Sequence, residues 1–178
     1  MIRRRSGLCL AGNRGRFHCP ARKELVMSRN AYGSRRDFLP GFMRKGDSVE
    51  RYRVRVLDLA ASQDLEKLSL NRFPHTSAGL IGWTDAVYTE RVSFSDEAEG
   101  VRLIEGLLSR TVEPVSEVVL FWGTLVMPTV VLTAEGVTAH AGEILKIGPD
   151  FWIYLRDRNM LVECAQDGRI TLADIPSA

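Results

Sequence analysis

The chain is poor in the residues that build small catalytic or metal centres. Its 178 residues include 3 histidines and 3 cysteines. No Cys-x-x-Cys or His-x-x-x-His spacing occurs, so a closed tetrahedral zinc site has no ligand set. Cys9, Cys19 and Cys164 are odd in number, two near the start and one far away, which is not a disulfide framework. A reducing cytoplasm is the compartment this predicts. Long apolar runs are missing too. The stretch from Val118 to Leu132 is broken by Gly123, Thr124, Pro128 and Thr129 and is shorter than the roughly 18 residues of a membrane span, so it reads as a pair of buried strands. Lys and Arg are absent between Pro74 and Glu90, which deprives Gly79-Leu80-Ile81-Gly82 of the cation a phosphate-gripping loop requires. No repeat of fixed period is present.

What the chain does have is segregated charge. Residues 1–50 carry 12 Lys/Arg against 4 Asp/Glu, and residues 51–178 carry 12 against 18. A net of +2 thus conceals a basic arm joined to an acidic body. The expected organisation is a disordered arm over 1–50 and a single globular domain over 51–178, a length near the commonest domain size.

Arm sequences invite targeting readings, and each lacks its physical partner. Arg3-Arg4-Arg5 precedes only the short apolar Leu8-Cys9-Leu10-Ala11, too brief for a secretory signal. Ser34-Arg35-Arg36-Asp37-Phe38-Leu39 resembles a twin-arginine export signal, but Pro40-Gly41-Phe42-Met43-Arg44-Lys45 follows where an apolar helix is needed. The lack of acids before Glu24 fits a transit peptide in composition alone, with no amphipathic repeat. Met1, Met27 and Met43 are alternative starts, since the text before the later two has no helical or strand period. Within the arm, Arg14 and Arg16 are candidates to grip phosphates and Phe17 to stack on a base.

In the body, Arg51 to Asp58 alternates Tyr52, Val54 and Val56 with arginines, predicting a half-buried strand. A short helix capped by Ser62 follows, ending near Asn71, and then a loop over Pro74 to Trp83. Asp85 to Phe94 suits a strand. Ser95-Asp96-Glu97 opens an amphipathic helix over 96–109, with Val101, Ile104, Leu107 and Leu108 on one stripe. Val118–Trp122 and Thr129–Thr133 read as adjacent buried strands, and a short helix runs from Thr133 toward Leu145. Phe151–Leu155, Met160–Cys164 and Arg169–Leu172 form a C-terminal meander, the last turn fixed by Asp167-Gly168. The predicted fold is α+β: a mostly antiparallel sheet of five to seven strands with one or two packed helices.

Candidate chemistry is sparse. His140 and Glu143 lie three apart, a spacing shared by ligand pairs and by ordinary surface neighbours, and no metal or cofactor is expected. His75 is the best general-base candidate, with Asp85 and Glu90 near in sequence, and Cys164 reads as a buried strand thiol. No catalytic residue is assigned. Trp152 and Tyr154 share the strand face opposite Phe151, Ile153 and Leu155, and so meet either a second layer or a partner. The leading expectation is a non-catalytic protein, of immunity or adaptor type, that binds a basic protein partner. Trp152 and Tyr154 would anchor that partner, and Asp96, Glu97, Glu99, Glu105, Asp157 and Glu163 would supply charge. A small acidic body of this kind is general to bacterial toxin-neutralising proteins and other interaction modules, an analogy of build alone. The alternatives are a nucleic-acid-associated protein using the arm and a small hydrolase-like enzyme using His75 or His140 with nearby carboxylates.

Overall fold

A computed structural model describes residues 31–77, 80–148 and 150–177. Seven strands form one antiparallel sheet, and six α-helices among the described residues surround it. In chain order the elements are α1 (Gly41–Arg44), α2 (Asp47–Arg51), β1 (Arg55–Val56), α3 (Leu59–Leu68), β2 (Glu90–Ser93), α4 (Glu97–Thr111), β3 (Glu117–Trp122), β4 (Val130–Thr133), α5 (Ala134–Ala139), α6 (Ala141–Leu145), β5 (Phe151–Leu155), β6 (Met160–Ala165) and β7 (Arg169–Asp174). Strand order across the sheet is β1-β4-β3-β5-β6-β7-β2. The α+β expectation holds, with α3 and α4 as the two longer helices.

Strands β3 and β5 are apolar at successive positions because the sheet is covered on both faces. Val118, Leu120, Trp122, Ile153, Leu155, Val162 and Ile170 point to a first core shared with Ile104, Leu107 and Leu108 of α4 and with Val137 and Ile144. Val119, Phe121, Val131, Trp152, Tyr154, Leu161 and Ala173 point to a second core. That core is closed by Phe73, Ile81 and Ile175, with Leu65 of α3 and Trp83 packed against it. The alternation along each strand sorts side chains between the two layers.

Helix α4 forms where the sequence placed it. Asp96 caps it, its Oδ1 accepting from Glu99 N–H at 2.8 Å, and Glu99 returns the contact by accepting from Ser95 N–H at 2.8 Å. These reciprocal bonds satisfy donors that the first turn leaves open. The meander also stands, and its last turn depends on Gly168 at φ +78°, where a Cβ would lie 2.6 Å from the carbonyl oxygen of Phe94. Gly168→Ala therefore meets both left-handed backbone and a backbone clash. It is expected to cost about 2 kcal/mol or more, seen as a lowered urea midpoint with unchanged m.

Four expectations need correction. The domain does not begin at residue 51. Leu39, Phe42 and Met43 are buried in the first core, and Gly33 and Arg35 donate backbone bonds to Leu125 and Val126 at 3.1 and 2.9 Å. The strand predicted over Arg51–Asp58 is cut to two residues. The chain is still helical through Arg51 and turns at Arg53 (φ +51°) so that Tyr52 can enter the core. Helix α3 is capped by Asp58, which accepts from Ala61 N–H at 2.8 Å. Ser62 instead lies buried inside that helix, with its Oγ 2.6 Å from Thr129 Oγ1. The strand predicted over Asp85–Phe94 spans only Glu90–Ser93, because residues 83–89 form an irregular crossing that leaves Val87 exposed.

Candidate functional site

Trp152 and Tyr154 are each 7% exposed, inside the second core, and so cannot serve as exposed anchors. Their cover comes from the chain itself: Phe73 and, further along, Ile81 and Trp83 join that layer. Glu163 is corrected in the same way, being 7% exposed. Trp152 Nε1 donates to its Oε1 at 3.1 Å, and Trp83 Nε1 donates to its Oε2. Burial pushes the Glu163 carboxyl above the ordinary range, against the pull of the two indoles and of Arg91.

Arg91 is half-buried next to this assembly, its guanidinium 5.5 Å from the Trp83 ring centroid. Its Nε donates to Thr171 Oγ1 at 3.0 Å, its guanidinium lies 4.3 Å from the Tyr88 ring centroid, and its Nη2 is buried with no hydrogen-bond partner. The sequence held a sign of it: Glu163 shares a strand face with Leu161, an inward position where a carboxylate requires donors. Nothing in the sequence identified Trp83 as the group that meets it.

Two clefts open at the sheet end formed by Trp122, Phe151 and Cys164. The larger, about 600 Å³, lies on the first-core side at the start of α4 and includes Asp96, Glu97, Lys146, Phe151, Cys164 and Asp167. Three carboxylates face one lysine there. Glu97 pairs with Lys146 at 2.9 Å and Asp167 pairs with Arg169, all on exposed side chains. Arg169 holds the Asp167 carboxyl below the ordinary range. Cys164 at the cleft floor is buried, and desolvation pushes its thiol far up, so it is no nucleophile at neutral pH.

The acidic candidates are thus divided. Asp96, Glu97 and Glu99 gather at the start of α4, although Glu99 is committed to capping and its carboxyl is lowered by the Ser95 bonds. Glu105 is exposed further along α4. Asp157 lies in the turn after Leu155, at the opposite end of β5 from the cleft. Arg14, Arg16 and Phe17 lie outside the described residues.

The smaller cleft, about 300 Å³, is lined by Tyr32, Glu66, His75, Leu80, Phe121, Leu125, Asp150 and Trp152, among others. His140 is elsewhere, its ring stacked on Phe42 at 3.8 Å between centroids and its Nδ1 2.8 Å from Glu143 Oε1. His75 lines the smaller cleft and His140 does not, and no group of three His, Cys, Asp or Glu among the described residues is placed to hold a metal ion. No described helix is long and apolar enough to cross a membrane.

Fold and site together define a layered antiparallel-sheet protein with an acidic cleft at one sheet end. No protein-family model matches the chain, and no curated protein sequence does.

Proposed function

We propose that this protein acts by binding, and that its partner is a protein presenting a basic segment to the acidic cleft at the start of α4. The observation that carries this reading is the composition of that cleft: Asp96, Glu97 and Asp167 line an opening of about 600 Å³ whose lining has Lys146 as its cation, with Arg169 paired to Asp167 alongside. The carboxylates sit at a rim, where charge governs encounter rate and partner choice more than raw affinity. The aromatic anchoring expected of Trp152 and Tyr154 is replaced in this reading by the apolar cleft floor of Phe94, Ile147 and Phe151. An immunity-type protein that occludes a basic effector is the form of this function the charge suits best.

The test is titration of a fluorescent Lys/Arg-rich peptide, followed by co-purification with the product of the adjacent reading frame. Each exposed pair is worth about 0.5 kcal/mol, so the D96N/E97Q/D167N variant should bind about tenfold more weakly. Asn keeps the cap at position 96, which leaves folding intact. Affinity unchanged in the triple variant, or insensitive to salt, defeats the proposal. Binding to DNA or RNA that disappears when residues 1–30 are removed would favour the arm, which carries 8 Lys/Arg against 1 Asp/Glu.

A further inference from the structure

We propose that the smaller cleft is the seat of the chain's own segment Leu25-Val26-Met27, held there by cations on either side of that triplet. Three observations converge on this occupant.

The first is the cleft. Its lining combines the buried Phe121, Ile81 and Trp152 with Leu80 and Leu125, which are 42% and 40% exposed. Large aliphatic side chains so exposed in the lining of one cleft make an apolar surface that water covers poorly. At about 300 Å³ the cleft is at the small end for ligand pockets, suited to one or two aliphatic side chains.

The second is where the described chain begins. Tyr32 lines the cleft, its hydroxyl accepting from Thr129 N–H at 2.9 Å and donating to the Leu57 carbonyl at 3.3 Å. Gly33 and Arg35 are bonded to the wall segment at Leu125 and Val126. The described chain therefore begins at the cleft's own edge. Met27 precedes Tyr32 by five positions and Leu25 by seven, a reach of about 17 to 24 Å when extended, which is ample to cross the opening.

The third is charge. The cleft lining contains Glu66 and Asp150 and no Lys or Arg. The apolar triplet is preceded by Arg22-Lys23-Glu24 and followed by Ser28-Arg29, three cations against one carboxylate. An apolar insert in a net-positive stretch complements an apolar cleft lined by two carboxylates. A tether this short gives an effective concentration in the millimolar range, so a weak segment suffices to occupy the site.

Disulfide trapping in the full chain tests the proposal. With C9S and C19S removing the arm thiols, the pair M27C and L80C places one cysteine within the segment and the other in the cleft lining. Mild oxidation should give a rapid intramolecular cross-link, and adding L25D and V26D should slow it at least tenfold while circular dichroism stays unchanged. A rate indifferent to L25D and V26D would show that the tether alone brings the thiols together and would overturn the proposal. A product linked between chains would assign the cleft to a second copy and would overturn it equally.

Discussion

A chain beginning at Met43 is expected to lose its cooperative unfolding transition at 25 °C, whereas one beginning at Met27 keeps it. The Met43 chain lacks Leu39 and Phe42, which are 3% and 6% exposed in the first core. Phe42 stacks on His140 at 3.8 Å and meets the Tyr52 ring edge-on at 6.1 Å, so its loss opens a gap lined by two aromatic groups. Truncating a buried Phe costs about 3–5 kcal/mol and a buried Leu about 2–5 kcal/mol. The Tyr32 hydroxyl goes as well, leaving the Thr129 N–H it satisfies. The sum is of the order of the whole stability of a small domain, about 5–15 kcal/mol. Urea titration followed by circular dichroism compares the two chains. Equal midpoints would remove Leu39 and Phe42 from the core.

Glu163→Ala is expected to destabilise the chain by about 3–5 kcal/mol, as much as truncating a buried aromatic ring. It strips the acceptor from two indole N–H groups, each costing about 1–3 kcal/mol when left unpaired, and deprives the partly buried Arg91 of its nearby opposite charge. Glu163→Gln retains one acceptor oxygen and should cost about half as much. The pH dependence has a defined sign. A carboxyl raised on folding takes up a proton as the chain folds, so its contribution is fully present below the ordinary carboxylate range and is lost as pH rises through the raised value. The wild-type chain should therefore show a loss of stability over that window that Glu163→Gln lacks. Denaturant midpoints of both chains from pH 4 to 8, with Trp fluorescence as the signal, provide the check. Parallel profiles would mean that Glu163 does not titrate in the folded chain.

The second face shows how far the sequence could be read. Alternation in Phe151–Leu155 put Trp152 and Tyr154 together on one face, and the structure keeps them together. What covers them was hidden, because Phe73, Ile81 and Trp83 come from a segment with neither helical nor strand period. A loop that closes a core carries no local signature of doing so. The arm boundary was misplaced for a related reason. The basic composition of residues 35–45 suggested solvent, yet Leu39, Phe42 and Met43 reach inward while Arg35 pairs with Asp37 at the surface. Average charge over a segment conceals which side chains point where.

For the acidic surface, the sequence supplied carboxylates without their duties. Glu99 is spent on capping α4, Glu117 pairs with Arg55 and Arg156, and Glu163 is enclosed, whereas Asp96 caps through one oxygen and still lines the cleft. Only their placement separates a carboxylate offered to a partner from one engaged in holding the fold.

The sequence by itself determined the meander and its glycine turn, the amphipathic α4 with its cap, the buried strand pair and the separation of positive from negative charge. These are set by neighbours a few residues apart, through side-chain period, capping and turn geometry. Tertiary structure alone decided that the sheet is covered on both faces, that residues 31–50 belong to the domain, and that Glu163 accepts from Trp83 and Trp152. Each of those contacts joins positions far apart in the chain, and only burial of apolar surface in three dimensions selects them.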